Sequence, residues 1–327
     1  IKYLLFLSLG ILILYAVFKD QDLDKMLEDL RNAEYKWLIF SMLFGYAAYI
    51  FRGLRWVLLI EAMKYKATAN QATQAIAAGY FANALFPRAG EIVRCTSLYK
   101  ATGIPVNKLF GTILLERTID LGMLLVCIGL SFLLKFKELT TFFGSVLNKD
   151  SPGENGNTKI IIACCLVLLT VGIYFFREKL KKSKLYQKLV NLGKGVKEGF
   201  QTAFHMKQKG SFSFYTFLIW LMYFLMTYIC FFSIPETSNL TAIDGLYIMV
   251  VGGLGMIVPV QGGLGPYHAA VTLGVVSIGL SESVGITLAV LVHTSQTIMI
   301  IITGIIATIV LSLTKRKAVL NEASETP

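Results

Sequence analysis

The sequence predicts an all-α fold: a polytopic membrane helix bundle of about six to eight spans, some of them broken or re-entrant. Two observations support this. Of the 327 residues, 55% are hydrophobic and only 16% are charged, and the apolar residues form long unbroken blocks. Soluble domains carry about 25% charged residues, whereas about 20 apolar residues span a bilayer core. We therefore expect a single transmembrane domain over residues 1–327, in a multi-pass protein of the cell inner (cytoplasmic) membrane.

Six long apolar blocks predict the spans. They lie at 3–18, 37–60, 109–134, 159–176, 212–233 and 284–313. Three other blocks, 70–86, 241–259 and 264–280, are rich in Ala, Gly and Thr and are interrupted or bordered by Pro and Gly. Such segments suit re-entrant or broken helices, which occur at membrane depth where they are buried in protein or line a cavity. The first block has no convincing cleavage site, so we expect an uncleaved anchor.

Basic residues predict the orientation. Ten Lys and Arg residues lie within 177–209 and none lies within 234–241, so the positive-inside rule places the long loop and both termini in the cytoplasm. Block 70–86 must then enter and leave on the cytoplasmic face, and 241–280 must return to the outer side. Apolar residues recur every three to four positions in 177–210, between lysines, which predicts a helix on anionic lipid or against the bundle.

The most informative charges lie in the first half, where five of the eight arginines fall between 52 and 117. A charge at mid-membrane costs roughly 2.5–3.5 kcal/mol, so these groups must face one another, water or a ligand. Arg52 and Arg55 share one helix face, Glu116 and Asp120 share another, and Arg117 is within reach of Asp120. The set comprises Arg52, Arg55, Arg88, Arg94, Arg117, Glu91, Glu116 and Asp120.

Five positive charges against three negative ones leave guanidinium groups over. Guanidinium matches phosphate oxygens and stays charged when dehydrated, and Pro87 and Gly90 interrupt the helix nearby, which frees backbone groups for a ligand. We therefore predict a site for a phosphate-bearing lipid head group. Two alternatives remain open: an ion-pair network that only holds helices together, and arginines that extend to the interface.

The second half has a corresponding break, because Pro259 and Gly262 are spaced like Pro87 and Gly90. Paired breaks of opposite orientation indicate a possible inverted repeat, with halves 1–135 and 159–314. His268 is a candidate proton carrier or a hydrogen-bonded helix contact, as is His293 with Gln296. The second candidate site comprises Pro259, Gln261, Gly262, Gly263, Gly265 and His268.

Other chemistries are disfavoured. The five cysteines lie in or beside apolar segments without metal-ligand spacing, so no metal and no cofactor is expected. Most lysines lie in short loops beside spans, where they set topology, so nucleic acid is not an expected partner.

Four segments together resemble the membrane region of lysylphosphatidylglycerol synthase, the flippase-like domain family. They are 52-RGLRW-56, 83-NALFPRAGEIVR-94, 116-ERTID-120 and 262-GGLGPYHAA-270. The resemblance implies that the polar signature consists of Asn83, Arg88, Glu91, Arg94, Glu116, Arg117 and Asp120. Family members often carry Glu where this chain has His268.

In the best-known relatives this region is fused to a soluble aminoacyl transferase and moves the lysylated phospholipid across the bilayer. Only 14 residues follow the last span here, so the resemblance implies the translocation half alone, acting on a phospholipid or a polyprenyl-linked lipid. We expect a flippase-like or scramblase-like protein rather than an enzyme, and passive or ion-coupled transport because no ATP-binding motif is present.

Two other classes stay open. One is a membrane-embedded lipid-modifying enzyme with Glu91, Glu116 or Asp120 as general base, which the absence of a recognisable nucleophile disfavours. The other is a non-transporting partner of a lipid synthase or glycosyltransferase that docks through 177–210. A homo-oligomer is also possible.

Overall fold

A computed structural model describes residues 8, 11–15, 17–19, 23–86, 89–147, 208–258 and 260–313. From residue 23 onward these ranges contain ten α-helices, three short 3-10 helices and no strand. The α-helices are α1 (Leu23–Asn32), α2 (Tyr35–Ala62), α3 (Ala69–Leu85), α4 (Gly90–Thr102), α5 (Val106–Leu134), α6 (Phe136–Leu147), α7 (Lys209–Tyr228), α8 (Ala242–Gly255), α9 (Pro266–Ser277) and α10 (Glu282–Leu313). The predicted span 159–176, nearly all of segment 177–210, and Pro87, Arg88 and Pro259 lie outside the described residues.

Four of the described helices are long and apolar enough to cross a membrane: α2, α5, α7 with its 3-10 extension to Ser233, and α10. They have 25 to 32 residues, so at 1.5 Å per residue each exceeds the roughly 30 Å of a bilayer core. In the most apolar window of α5 only 11% of residues are buried, and Leu125, Val126 and Leu133 point outward. This outer surface suits lipid, and the all-α membrane bundle is confirmed.

Local sequence explains where the shorter helices begin and end. Thr68 and Gln71 form a capping box at the start of α3, and Thr241 and Asp244 form another at the start of α8. Helix α4 ends at Gly103, whose φ of 81° is readily adopted only by glycine.

The broken blocks fold into two pairs of packed helices. We call α3 with α4 hairpin 1 and α8 with α9 hairpin 2; all four helices have only 12 to 17 residues, fewer than the roughly 20 that span a bilayer core. Their backbones approach closely: a Cβ on Gly79 would lie 2.9 Å from the Gly90 oxygen, and one on Gly255 would lie 2.7 Å from the Pro266 oxygen. Each predicted break is therefore present, between Leu85 and Gly90 and between Gly255 and Pro266.

The two hairpins open at opposite ends of the bundle. Hairpin 1 leads directly into the start of α5, whereas Lys135, which caps the far end of α5, ion-pairs with Asp244 at the start of hairpin 2 at 2.9 Å. The basic end carries five lysines and one glutamate: Lys64, Lys66, Lys100, Lys108, Lys209 and Glu61. The acidic end carries five carboxylates and three lysines: Glu34, Glu138, Glu236, Asp244, Glu282, Lys36, Lys135 and Lys137.

Lys135 and two carboxylates form an ion cluster at the acidic end. Lys135 contacts Asp244 at 2.9 Å and Glu138 at 3.1 Å. Desolvation opposes its charge, but the hydrogen bonds to these two carboxylates outweigh that effect and raise the pKa of Lys135 above its usual value. Beside this cluster the Tyr247 hydroxyl lies 2.7 Å from Ser277 Oγ and donates to the Glu138 carbonyl. These contacts connect α5, α6 and both helices of hairpin 2.

Two apolar cores lie toward the two ends. One is built around Trp56, Ile76, Leu98 and Leu109, near the basic end. The other is built around Phe231, Tyr247, Val271 and Leu288, near the acidic end.

We predict that Gly90→Ala destabilises the protein by about 1–3 kcal/mol, the usual penalty for overpacking. The new Cβ would collide with the Gly79 carbonyl and the Asn83 side chain. Gly111→Ala is the matched control, because a Cβ there meets nothing within 4 Å. Thermal unfolding in detergent should show a lower midpoint for the first variant only; equal midpoints would refute the close approach.

Candidate functional site

Two pairs of charged residues face each other between α2 and α5. Asp120 accepts hydrogen bonds from Arg52 at 2.7 Å and forms an ion pair with Arg55 at 2.9 Å, one carboxylate oxygen for each guanidinium. The Arg52, Arg55 and Glu116 side chains are almost fully buried. The helical spacing of three and four residues thus brings the predicted partners together.

Hairpin 1 joins this network through Arg94 on α4. Arg94 lies 2.7 Å from Glu116, which also lies 3.8 Å from Arg55. The Arg94 guanidinium is 3.8 Å from the centroid of the Trp56 ring, a distance suited to a cation–π contact. The Trp56 indole in turn donates to Thr112 at 2.7 Å, so packing and hydrogen bonds fix the position of Arg94.

The predicted contact between Arg117 and Asp120 is wrong. Arg117 instead pairs with Glu91 on α4 at 3.1 Å, since both arginines of α2 hold Asp120. This pair is more accessible than the others, with 47% of the Arg117 side chain and 29% of the Glu91 side chain exposed.

The described guanidinium groups are not fully satisfied. Four arginines pair with three carboxylates, which leaves one positive charge over within this part of the chain. Among the described residues, the buried network atoms without a hydrogen bond of good geometry are Arg52 Nε, Nε and one terminal nitrogen of Arg55 and of Arg94, both Glu116 carboxylate oxygens and Asp120 Oδ1. Buried polar groups without partners are costly, so these nitrogens are expected to bind water or an anion.

A cleft opens beside these groups, with a volume of about 280 Å³ including its mouth. It is lined by Arg52, Ile76, Gly79, Tyr80, Asn83, Gly90, Glu91, Arg94 and Arg117. Three guanidiniums and one carboxylate therefore reach the same space. Arg55, Glu116 and Asp120 do not line it; they lie behind it and position Arg52 and Arg94.

The cleft reaches deep into the bundle. Arg52 lies ten residues before the end of α2 at Ala62, or about 15 Å along the axis. Asn83, which the resemblance placed in the polar signature, accepts a hydrogen bond from the Gly90 amide at 2.7 Å. It therefore caps the first turn of α4 across the break, and the same side chain forms part of the cleft wall.

The second predicted site lies at the tip of hairpin 2 and touches hairpin 1. Gln261 donates to the carbonyls of Leu85 and Ala84 at the end of α3. Gly262, Gly263 and Gly265 adopt φ values of 61°, 74° and 91°, which residues other than glycine rarely adopt. Sequence reasoning missed this contact between the tips; a lone Gln in an apolar break was its only signal.

His268 is buried beside His293 of α10, with the ring centroids 4.7 Å apart. His293 Nε2 lies 2.9 Å from the Gly262 oxygen, so this histidine holds the tip in place. Within the described ranges no group of three or more His, Cys, Asp or Glu residues could hold a metal ion.

Comparison with known proteins gives one match. A family model described as "Lysylphosphatidylglycerol synthase TM region" matches residues 2–304. No curated protein and no solved structure matches the chain.

We predict that Glu116→Gln is strongly destabilising, because it leaves Arg55 and Arg94 buried without a full counter-charge. Breaking a buried pair in this way costs about 3–5 kcal/mol. The control is Glu91→Gln, since its partner Arg117 is half exposed and such pairs are worth at most about 1 kcal/mol. Unfolding midpoints of the two variants in the same detergent test this; a similar small loss for both would contradict the bridging role of Glu116.

Proposed function

Because the chain belongs to the lysylphosphatidylglycerol synthase transmembrane-region family, we propose that it moves a phosphate-bearing lipid across the membrane. The lipid would be an anionic or zwitterionic phospholipid or a polyprenyl-linked lipid, and the protein would act as a flippase-like or scramblase-like translocase. The observation that carries the proposal is the cleft itself, where Arg52, Arg94 and Arg117 converge about 15 Å inside the basic end.

The arrangement of the three guanidiniums suggests an order of contacts. Arg117 is exposed, and its ion-pair partner among the described residues is Glu91, so it meets an incoming phosphate first and exchanges one anionic partner for another. Arg52 and Arg94 lie deeper, and buried nitrogens of each have no hydrogen-bond partner among the described residues. Phosphate oxygens would satisfy these donors once the head group enters and the side chains adjust. The acyl chains stay in lipid while the polar head group follows the cleft.

The contact between the hairpin tips closes this path toward the acidic end. Gln261 donates to the last carbonyls of α3, directly after Asn83 in the cleft wall. In this mechanism the tips separate to let a head group pass, and they close behind it. The movement is passive or coupled to an ion.

Transport fits the charges better than catalysis does. Each described carboxylate of the network forms an ion pair with at least one arginine, so each has a structural role in positioning the guanidinium groups. We therefore assign no catalytic residue.

The proposal includes an orientation of the protein in the membrane, with the basic end facing the cytoplasm. The lysines of the basic end lie just after the end of α2, near the end of α4 and at the starts of α5 and α7, where the positive-inside rule favours the cytoplasm. Both termini would then be cytoplasmic and the membrane would be the cell inner membrane. A lipid-synthesising partner or a second copy stays a prediction.

We predict that Arg117→Gln lowers lipid exchange in proteoliposomes by about tenfold or more, the effect of losing one hydrogen bond to a charged group. The rate at which a fluorescent phospholipid exchanges between the two leaflets measures this. Arg117 is partly exposed, so the variant should fold normally. Arg117→Lys keeps the charge and should recover part of the rate.

Lys108→Gln is the matched control, since it removes a positive charge from the exposed start of the same helix without touching the cleft. It should exchange lipid at the rate of the unmodified protein. If the unmodified protein exchanges lipid no faster than empty vesicles and binds none, the proposed function is wrong.

A further inference from the structure

We propose that His268 and His293 form a proton-binding site that stays uncharged while the hairpin tips touch and takes up a proton as they separate. The proposal rests on the position of the pair under the tip of hairpin 2, and it assigns a ligand, the proton, to side chains that the lipid cleft does not use. It rests on the proposed function in one respect, namely that separation of the tips lets a lipid head group pass.

The pair is enclosed. His268 is 4% exposed and His293 is 8% exposed, and their ring centroids lie 4.7 Å apart. His268 Nδ1 is buried and has no hydrogen-bond partner among the described residues. Two imidazolium ions this close would repel each other, and a buried imidazole is neutral unless something compensates its charge.

Among the described residues, no charged side chain contacts either ring. The ring neighbours of the pair are Tyr267 on α9 and Phe18, which precedes α1, and the polar neighbour is the Gly262 carbonyl. Lys135, Glu138 and Asp244, at the adjoining ends of α5, α6 and α8, pair with one another at the acidic end. Helix α1 also packs on α10, and its charged residues with described side chains are Glu28, Asp29 and Arg31.

The pair is connected to the tip contact by adjacent residues. A carbonyl only accepts, so at 2.9 Å from the Gly262 oxygen His293 Nε2 carries the hydrogen. Gly262 follows Gln261, the residue that donates to the end of α3. The tip therefore sits between two anchors, one to hairpin 1 and one to α10.

The direction of the pH response follows from burial. Imidazole in water has a pKa of about 6.5, whereas the enclosed pair is held neutral, so acid favours the arrangement in which water reaches the rings. Each exposed histidine shifts the balance toward separated tips by about tenfold per pH unit below that value. From pH 7.5 to 5.5 the shift is about tenfold for one histidine.

The test measures the distance between the tips without any lipid transport. Spin labels are placed at Leu85→Cys and Ile257→Cys, whose side chains are exposed beside the two tips, in a background with the native cysteines replaced. In nanodiscs, acidification from pH 7.5 to 5.5 should add a longer-distance population. If the labelled protein that keeps both histidines shows no such population, the proposal is wrong.

Variants identify the group that titrates. His293→Gln keeps a donor for the Gly262 oxygen but cannot take a proton, so the acid response should fall by about tenfold or vanish. His205→Gln removes the chain's third histidine and should leave the response intact. If the longer-distance population at pH 5.5 persists in the double variant His268→Gln with His293→Gln, the proposal is wrong. If the protein exchanges lipid but its tip distance does not respond to acid, the proposal is also wrong, while the translocase function stands.

Discussion

The salt bridges between α2 and α5 are the constraint on which the rest of the structure depends. Arg52 and Arg55 are buried away from bulk water, and a buried charge needs a counter-charge close by. Glu116 and Asp120 therefore face them. Helix α4 is drawn into the same arrangement because Glu116 also holds Arg94. The position of hairpin 1, and hence the shape of the cleft, follows from where these carboxylates can be satisfied.

The same network is both structural and incomplete, and this combination gives the cleft its chemistry. A fully neutral set of ion pairs would hold helices together and offer nothing to a ligand. Here one positive charge is left over and several buried guanidinium nitrogens have no hydrogen-bond partner among the described residues, while Arg52, Arg94 and Arg117 line a space open at its mouth. The alternative of a purely structural network explains Arg55, Glu116 and Asp120 well, but it does not explain why Arg52, Arg94 and Arg117 share one cleft.

The sequence predicted the four long helices of the described residues and the faces of α2 and α5, because apolar run length, periodicity and the cost of buried charge are local properties. It also located both breaks, since a Pro followed three residues later by a Gly disfavours a continuous helix. It did not predict that Glu91 rather than Asp120 holds Arg117, nor that Gln261 reaches Leu85, 176 residues away. Such pairings depend on how distant helices are placed against one another. Asn83 illustrates the difference: resemblance identified it as polar, and only geometry identifies it as a backbone cap.

The meeting of the two hairpins also sets the polarity of the bundle between its two ends. Four helices, α3, α4, α8 and α9, have one end at the hairpin tips rather than at the basic or acidic end, and each of these ends leaves backbone groups outside intrahelical hydrogen bonding. Amino and carboxyl ends alternate there, so their dipoles largely cancel while their polarity adds. The result is a polar column within the hydrocarbon slab. Beside it the dielectric barrier is thinner than the roughly 30 Å of the surrounding bilayer, even before any ligand arrives.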